Sequence, residues 1–171
     1  MLAWIIVIVA LVGVDQVTKL MASRLLTDGE SVNVIKGIFR FTYVENRGAA
    51  FGMLSDHRWV FLIISSVAIV AMLVYLWKFR PDSIWACVAV SMIIAGGIGN
   101  MIDRVALGYV IDFLDFCAFP EIWPWVFNFA DACVCVGGGI LAVYLIVSMV
   151  EEAKAEKAKK AELAKQKNKE E

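Results

Sequence analysis

The sequence predicts a membrane all-α fold, namely a four-transmembrane-helix bundle with a small extracytoplasmic β-element and both termini in the cytoplasm. Of the 171 residues, 61% are hydrophobic, whereas a soluble domain of this length is about half apolar. Three uncharged runs each approach the roughly 20 residues that a helix needs to cross the hydrocarbon core. A shorter apolar run begins at Leu2. The predicted helices lie at residues 2–22, 58–78, 83–104 and 125–150.

The first predicted helix resembles a signal peptide only in its position in the chain. It has no basic residue before its apolar run, and this run ends in the polar segment 15–19 instead of a small-residue cleavage site. We therefore expect it to be retained as a membrane span.

Composition divides the chain into a membrane domain at residues 1–150 and a charged tail at residues 151–171. Within the domain, residues 31–44 are rich in β-branched and aromatic residues around the turn-prone Gly37, which predicts a β-element at about 28–56. The tail consists almost entirely of Glu, Lys and Ala. That composition is typical of a solvated helix or a frayed tail.

The distribution of basic residues predicts the orientation of the bundle. If the helices alternate, the seven lysines of the tail lie on the same side as Lys78 and Arg80. The opposite side carries Arg24, Lys36, Arg40, Arg47 and Arg58. The bias of lysine and arginine favours cytoplasmic termini. The net charge of −1 gives no reason to expect a nucleic-acid partner.

Polar side chains of three predicted helices are expected to meet at the non-cytoplasmic face. They are Asp15 and Lys19 of the first helix, Asn100, Asp103 and Arg104 of the third, and Asn128 and Asp131 of the fourth. Charges in a bilayer are costly and usually functional. Structural ion pairing remains an open alternative for the first and third helices, because each carries its own counter-charge. Asp131 lies about six residues into the fourth predicted helix, which contains no cation, and this favours a functional role.

The sequence lacks the residues that several hydrolytic mechanisms require. The one histidine, His57, excludes an HExxH zinc site and has no evident partner for a serine or cysteine triad, so we expect it at the surface. The four cysteines show no metal or redox spacing. A Ser23–Lys19 dyad is disfavoured because Asp15, one turn away, would keep the lysine charged.

Two aspartates remain as the best candidates for catalysis. Asp112 lies just beyond the third predicted helix, and the connection to Asp131 contains prolines and tryptophans suited to a membrane interface. Two close carboxylates can share a proton near neutral pH. The protonated one would donate to a carbonyl, and the ionised one would take a proton from water. The sequence leaves open which is which.

Four motifs occur in order within residues 5–147. They are DQVTK at 15–19, NRGAAFG at 46–52, GGIGNMIDR at 96–104 continued by GYVIDF at 108–113, and FNFAD at 127–131. On these motifs the chain resembles lipoprotein signal peptidases, the type II signal peptidases of bacteria. The resemblance implies an endopeptidase of the bacterial cytoplasmic (inner) membrane. Such an enzyme removes the signal peptide of prolipoproteins by cleaving before a diacylglyceryl-modified cysteine.

The resemblance also implies roles for individual residues. Asp112 and Asp131 become the catalytic dyad, facing the extracytoplasmic side, with no metal or organic cofactor. The expected partners are diacylglyceryl-modified prolipoproteins, membrane lipid and globomycin-type inhibitors, and we expect a monomer. Positioning of the substrate or support of the dyad is implied for Asp15, Lys19, Asn46, Gly48, Asn100, Asp103, Arg104 and Asn128.

Three other functions are weighed against this one. An ion- or proton-coupled transporter usually has a midplane site and often internal repeats, whereas this sequence has no repeat and gathers its polar groups at one face. Membrane aspartyl proteases that cut transmembrane helices resemble Gly-x-Gly-Asp, but Gly99 is followed by Asn100. A structural membrane subunit would not explain the polar pairs on one side.

Overall fold

The computed structural model describes residues 2–26, 31–48, 58–79 and 81–170. Within these ranges, four helices are long and apolar enough to cross a membrane, which confirms that part of the predicted fold. They are α1 (Leu2–Leu25), α2 (Arg58–Val74, continued by a π-helical turn at Tyr75–Phe79), α3 (Ile84–Ala106) and α4 (Phe129–Glu170).

The helices are accompanied by a small antiparallel sheet in which the strand order follows the chain. Its strands are β1 (Ser31–Ile35), β2 (Phe39–Asn46), β3 (Val110–Phe116) and β4 (Val126–Phe127). The predicted β-element included only the first two strands. No strand was predicted between the third and fourth helices, where β3 and β4 lie. The strand β3 forms by pairing with β2, more than 60 residues away, and local sequence does not show such a pairing.

The fourth helix begins later and ends later than predicted. Residues 126–127 pair with β3, so the helix begins at Phe129, and Asp131 lies in its first turn rather than six residues inside it. At the other end, the helix continues through the Glu/Lys/Ala tail to Glu170. These residue types are strong helix formers, and the side chains at 151–160 are exposed.

The third helix, α3, packs against each of the other three helices. Its Val90, Ile94 and Ala95 lie in an apolar core with Ile8 of α1 and Ile69 of α2. Cys87 lies in the same core, as expected for a small apolar side chain.

The sheet packs on the end of α1 through a second apolar cluster. Ala22 of α1 contacts Ile111 and Phe113 of β3, and Phe41 and Tyr43 of β2 pack against them. These contacts hold β3 at the end of the bundle where the polar residues of α1, α3 and α4 also lie.

Candidate active site

Asp112 lies in the middle of β3, opposite Val44 of β2. Its carboxyl group is almost fully buried, with 2% of the residue exposed. Asn46 Nδ2 donates a hydrogen bond of 2.8 Å to its Oδ2 atom, and Asn128 Nδ2 donates one of 2.6 Å to Oδ1. Both carboxyl oxygens are therefore held by asparagine amides, one from β2 and one from the start of α4.

The amide of Asn46 is oriented by its own turn. Its Oδ1 atom accepts a 3.0 Å hydrogen bond from the backbone N–H of Gly48, which leaves Nδ2 to face Asp112. Gly48 is buried, and its carbonyl accepts a 3.4 Å hydrogen bond from Arg104. The rest of this motif, residues 49–52, and His57 lie outside the described residues.

Asp131 is oriented by the cap of α4. Asn128 Oδ1 accepts a 2.9 Å hydrogen bond from the backbone N–H of Asp131. In return, Asp131 Oδ2 accepts one of 3.2 Å from the backbone N–H of Asn128. This reciprocal pair is a capping box. The other oxygen, Oδ1, accepts a 2.8 Å hydrogen bond from Asn100 Nδ2.

Asn128 joins the two aspartates. It is completely buried, and its side chain caps α4 at Asp131 while its Nδ2 atom donates to Asp112. The chain reaches this position because β4 pairs back onto β3, with Phe127 opposite Leu114. The return of β4 to β3 therefore brings two carboxylates 19 positions apart in the sequence to the same asparagine.

A buried cation lies behind this arrangement. Lys19 Nζ contacts Asp15 Oδ2 at 2.9 Å and Asp103 Oδ2 at 3.0 Å. It also donates a 2.9 Å hydrogen bond to Asn100 Oδ1, which accepts a second bond of 3.0 Å from Asn128 Nδ2. These two donors fix the Asn100 amide so that its Nδ2 atom faces Asp131.

The two carboxylates beside Lys19 also bind backbone amides. Asp15 Oδ1 accepts a 2.9 Å hydrogen bond from Ala130 N at the start of α4. Asp103 Oδ2 accepts one of 3.1 Å from Ile111 N in β3. The ion cluster of Asp15, Lys19 and Asp103 thus positions the two elements that carry Asp112 and Asp131.

Gln16 is part of the same cluster, and sequence reasoning did not identify it. Its Nε2 atom lies 3.1 Å from Asp15 Oδ2, 3.0 Å from Asp103 Oδ1 and 3.3 Å from the Gly99 carbonyl oxygen. Its place in the first motif was the available signal. Gln16 is neutral, whereas the prediction of site residues relied on the charged Asp15 and Lys19 of the same motif.

The environment of Asp112 changes its acidity. Burial, followed by repulsion from Asp131, raises the pKa of Asp112 from an ordinary 3.8 to about 7. The hydrogen bonds from Asn46 and Asn128 act in the opposite direction, because they favour the ionised form. Asp112 can therefore hold a proton close to neutral pH.

Carboxylates and amides form this site, with lysine as its internal cation. Among the described residues, no group of three or more His, Cys, Asp or Glu side chains is arranged to hold a metal ion. The arrangement suits proton transfer by a pair of carboxyl groups.

Known proteins with similar sequences share one description. The family model described as "Signal peptidase (SPase) II" matches residues 7–147. The lipoprotein signal peptidase of Clostridioides difficile is 42% identical over 143 residues, which are 84% of this chain and 94% of the relative. That of Halothermothrix orenii is 42% identical over 140 residues, 82% of this chain and 92% of the relative.

Two solved structures have the same fold, and both are described as the structure of a bacterial membrane enzyme. One superposes with a TM-score of 0.80 at 33% identity, covering 87% of this chain and 90% of its own. The other has a TM-score of 0.76 at 34% identity, covering 85% and 93%. With a family model that matches most of its length and full-length relatives at this identity, the chain belongs to the signal peptidase II family.

Proposed function

We propose that Asp112 and Asp131 are the catalytic pair with which this aspartic endopeptidase of the signal peptidase II family removes signal peptides from prolipoproteins. The cut is made before a cysteine that carries a diacylglyceryl group. The observation that carries the proposal is the Asn128 bridge, which binds one carboxylate through its amide and caps the helix of the other. Family membership supports the reaction and disfavours a transporter.

In this proposal the two carboxyl groups have different roles. Asp112 is the proton donor, because burial and its neighbour raise its pKa to about 7. Asp131 is the base, because it lies in the first turn of α4, where the helix dipole favours a negative charge. Its two oxygens accept hydrogen bonds from Asn100 and Asn128, but the oxygens of Asp112 are hydrogen-bonded as well, so the helix dipole is what distinguishes the two carboxyl groups.

The reaction then follows from these protonation states. Asp131 takes a proton from a water molecule as the water oxygen attacks the scissile carbonyl carbon, and Asp112 gives its proton to the carbonyl oxygen. Collapse of the tetrahedral intermediate breaks the C–N bond. The amide nitrogen receives the proton that Asp131 took, and Asp112 recovers its proton from the intermediate.

The experiment is cleavage of a diacylglyceryl-modified precursor by purified Asp112→Asn and Asp131→Asn variants. Each variant should lose at least about 100-fold in kcat, the usual contribution of a general acid or base. Asp115→Asn is the matched control, because Asp115 lies in the same strand, is also buried and pairs with Arg40 instead. Globomycin should inhibit the wild type. Turnover at the wild-type rate by either dyad variant would refute the assignment.

The site is further proposed to face the extracytoplasmic side of the bacterial cytoplasmic (inner) membrane, with both termini in the cytoplasm. The bias of lysine and arginine supports this orientation, and the charged end of α4 extends away from the sheet. Single cysteines at Val34 in β1 and Lys154 in α4, in a chain without the four native cysteines, should differ in labelling. An impermeant maleimide added to intact spheroplasts should label position 34 alone, and labelling of position 154 instead would reverse the topology.

A further inference from the structure

Each member of the proposed catalytic pair directly follows a residue whose backbone N–H group binds the buried ion cluster. Ile111 N, next to the first carboxylate in β3, donates a 3.1 Å hydrogen bond to Asp103 Oδ2. Ala130 N, next to the second carboxylate in α4, donates one of 2.9 Å to Asp15 Oδ1. The position of Asp15 relative to Asp103 therefore fixes how far apart these two stretches of backbone lie.

Two side chains of α1 join Asp15 to Asp103. Lys19 Nζ contacts Asp15 Oδ2 at 2.9 Å and Asp103 Oδ2 at 3.0 Å. Gln16 Nε2 lies 3.1 Å from Asp15 Oδ2 and 3.0 Å from Asp103 Oδ1. Lys19 supplies one positive charge for two carboxylates, and the Gln16 amide is a second donor that both of them share.

The two carboxyl oxygens of Asp103 have different partners. Oδ2 accepts from Lys19 and from the backbone N–H of Ile111, whereas Oδ1 accepts from Gln16. The terminal torsion of an aspartate is broad and weakly restricted by itself. Hydrogen bonds to both oxygens therefore fix this torsion, and they fix the direction in which Oδ2 meets Ile111.

Gln16 lies where α1 and α3 approach each other closely. A Cβ atom at Gly99 would collide with Asp15 Oδ2, so this approach requires a glycine. Gln16 Nε2 also lies 3.3 Å from the carbonyl oxygen of Gly99. Its two N–H donors thus face three acceptors inside the protein, which leaves no donor for a substrate. An effect of Gln16 on the reaction must pass through the ion cluster.

Several charged and titratable groups belong to the elements that pack around Gln16, since α1 contacts α3, α4 and β3. They are Asp15 and Lys19 of α1, Asp103 and Arg104 of α3, Asp112 of β3, and Asp131 and Cys133 of α4. The Gln16 amide is hydrogen-bonded to Asp15 and Asp103, so a change of charge at position 16 acts first on these two carboxylates.

We propose that Gln16 is a positioning residue, which sets the separation of the two catalytic carboxyl groups by acting through Asp15 and Asp103. The inference rests on the proposed function, in which Asp112 and Asp131 are the catalytic pair. The amide holds the two cluster carboxylates together, and these hold the backbone beside each catalytic residue. The catalytic carboxyl groups then stay close enough to share a proton.

The test is cleavage of a diacylglyceryl-modified precursor by the full-length enzyme in micelles, measured from about pH 5 to about pH 8. Gln16→Glu keeps the size and shape of the side chain but replaces the amide with a carboxyl group. Gln16→Met removes the donors and adds no charge. Gln166→Glu is the matched control, because it makes the same change at the other glutamine of the chain, in the charged tail.

The result for Gln16→Glu depends on the proton of the introduced carboxyl group. Repulsion from Asp15 and Asp103 keeps this group protonated at low pH, and its O–H can then donate to one of them. At high pH the donor is lost and a third negative charge joins the cluster. Because a misplacement of about 1 Å can cost about 100-fold in rate, kcat should fall at least about tenfold below the wild type at about pH 8 and stay within about threefold of it at about pH 5.

The other two variants separate the loss of the donor from the added charge. Gln16→Met should lower kcat by about tenfold or more at low as well as high pH, because it has no proton to donate at either. Its KM should stay within about twofold of the wild type, since Gln16 has no donor left for a substrate. Gln166→Glu should keep the wild-type kcat and pH profile.

Three results would contradict the positioning role. Wild-type kcat in both Gln16 variants would show that the amide only fills space. A loss in Gln16→Glu that is equal at low and high pH would show that the donated proton is irrelevant. Thermal unfolding is measured alongside, and a Gln16→Glu protein that is unfolded at high pH would assign the loss to stability. If Gln16→Met does not fold, the pH dependence of Gln16→Glu decides by itself.

The same assay separates this inference from the proposed function. If the wild type does not cleave the precursor, the proposed function itself fails. If the wild type cleaves it, Asp112→Asn and Asp131→Asn do not, and both Gln16 variants match the wild type, the function stands and only the role of Gln16 is rejected.

Discussion

Replacing Lys19 with Met should strongly destabilise the fold, because it removes the cation from a buried ion cluster. The Lys19 side chain is 2% exposed, and those of Asp15 and Asp103 are 1% and 4% exposed. Removing one partner of a buried ion pair costs about 3–5 kcal/mol, because a buried charge is left without compensation. Here two carboxylates lose their cation, while the amides of Ala130 and Ile111 still bind them. We therefore expect a loss within that range.

The measurement is equilibrium unfolding in mixed micelles, followed by fluorescence of the six tryptophans. Lys160→Met is the matched control, because Lys160 pairs with Glu156 at the surface and its side chain is 74% exposed. That change should cost less than about 1 kcal/mol.

A second substitution tests whether the loss is electrostatic. Adding Asp15→Asn to Lys19→Met removes one uncompensated charge and keeps an oxygen that can accept from Ala130 N, so it should restore part of the lost stability. A free energy of unfolding for Lys19→Met within about 1 kcal/mol of the wild type would contradict an essential role of the buried cation. A further loss of stability on adding Asp15→Asn would contradict an electrostatic cause.

Two further predictions concern pH and helix packing. The raised pKa of Asp112 means that the folded state binds its proton more tightly than the unfolded state. The contribution of Asp112 to stability is therefore full below about pH 4 and is lost as pH rises from there through 7. The difference between the pKa values of 3.8 and about 7 corresponds to about 4 kcal/mol of stability. Thermal unfolding of Asp112→Asn, measured against pH, should lack this dependence. Parallel curves of stability against pH for the wild type and the variant would contradict the prediction. In α3, Gly96→Ala should cost about 1–3 kcal/mol, because its Cβ would lie 2.7 Å from Val134 Cγ2 and against the Ala130 carbonyl oxygen. Gly138→Ala in α4 meets nothing within 4 Å and should instead stabilise by about 0.5–1 kcal/mol; a loss of stability in both variants would show that close packing at Gly96 is not the cause.

The membrane spans were predictable because they depend on local composition. An uncharged run of about 20 residues forms a helix in a bilayer whatever its neighbours are, and the structure has four such helices. Their ends were less predictable. The start of α4 depends on the pairing of β4 with β3, and its continuation to Glu170 depends on helix propensity beyond the last apolar residue.

The strand β3 shows what local sequence cannot supply. Its residues Val110–Phe116 form an apolar segment interrupted by two aspartates, and no strand was predicted there. Pairing with β2 and packing on Ala22 of α1 make it a buried strand. Asp112 is buried for the same reason, and its raised pKa follows from that burial.

The sequence by itself determined the membrane helices and the polar residues near their ends. With one histidine, it also limited the candidate hydrolytic mechanisms and left Asp112 and Asp131 as the best candidates for catalysis. Only the tertiary structure decided how those residues pair. Asn46 binds Asp112 across 66 positions of the chain, and Lys19 binds Asn100 across 81. A span is stable through its own composition and length, whereas a hydrogen bond between distant residues exists only after the helices and the sheet have packed. For this reason the motifs could indicate Asp112 and Asp131, while the Asn128 bridge and the Lys19 cluster became visible only in the folded chain.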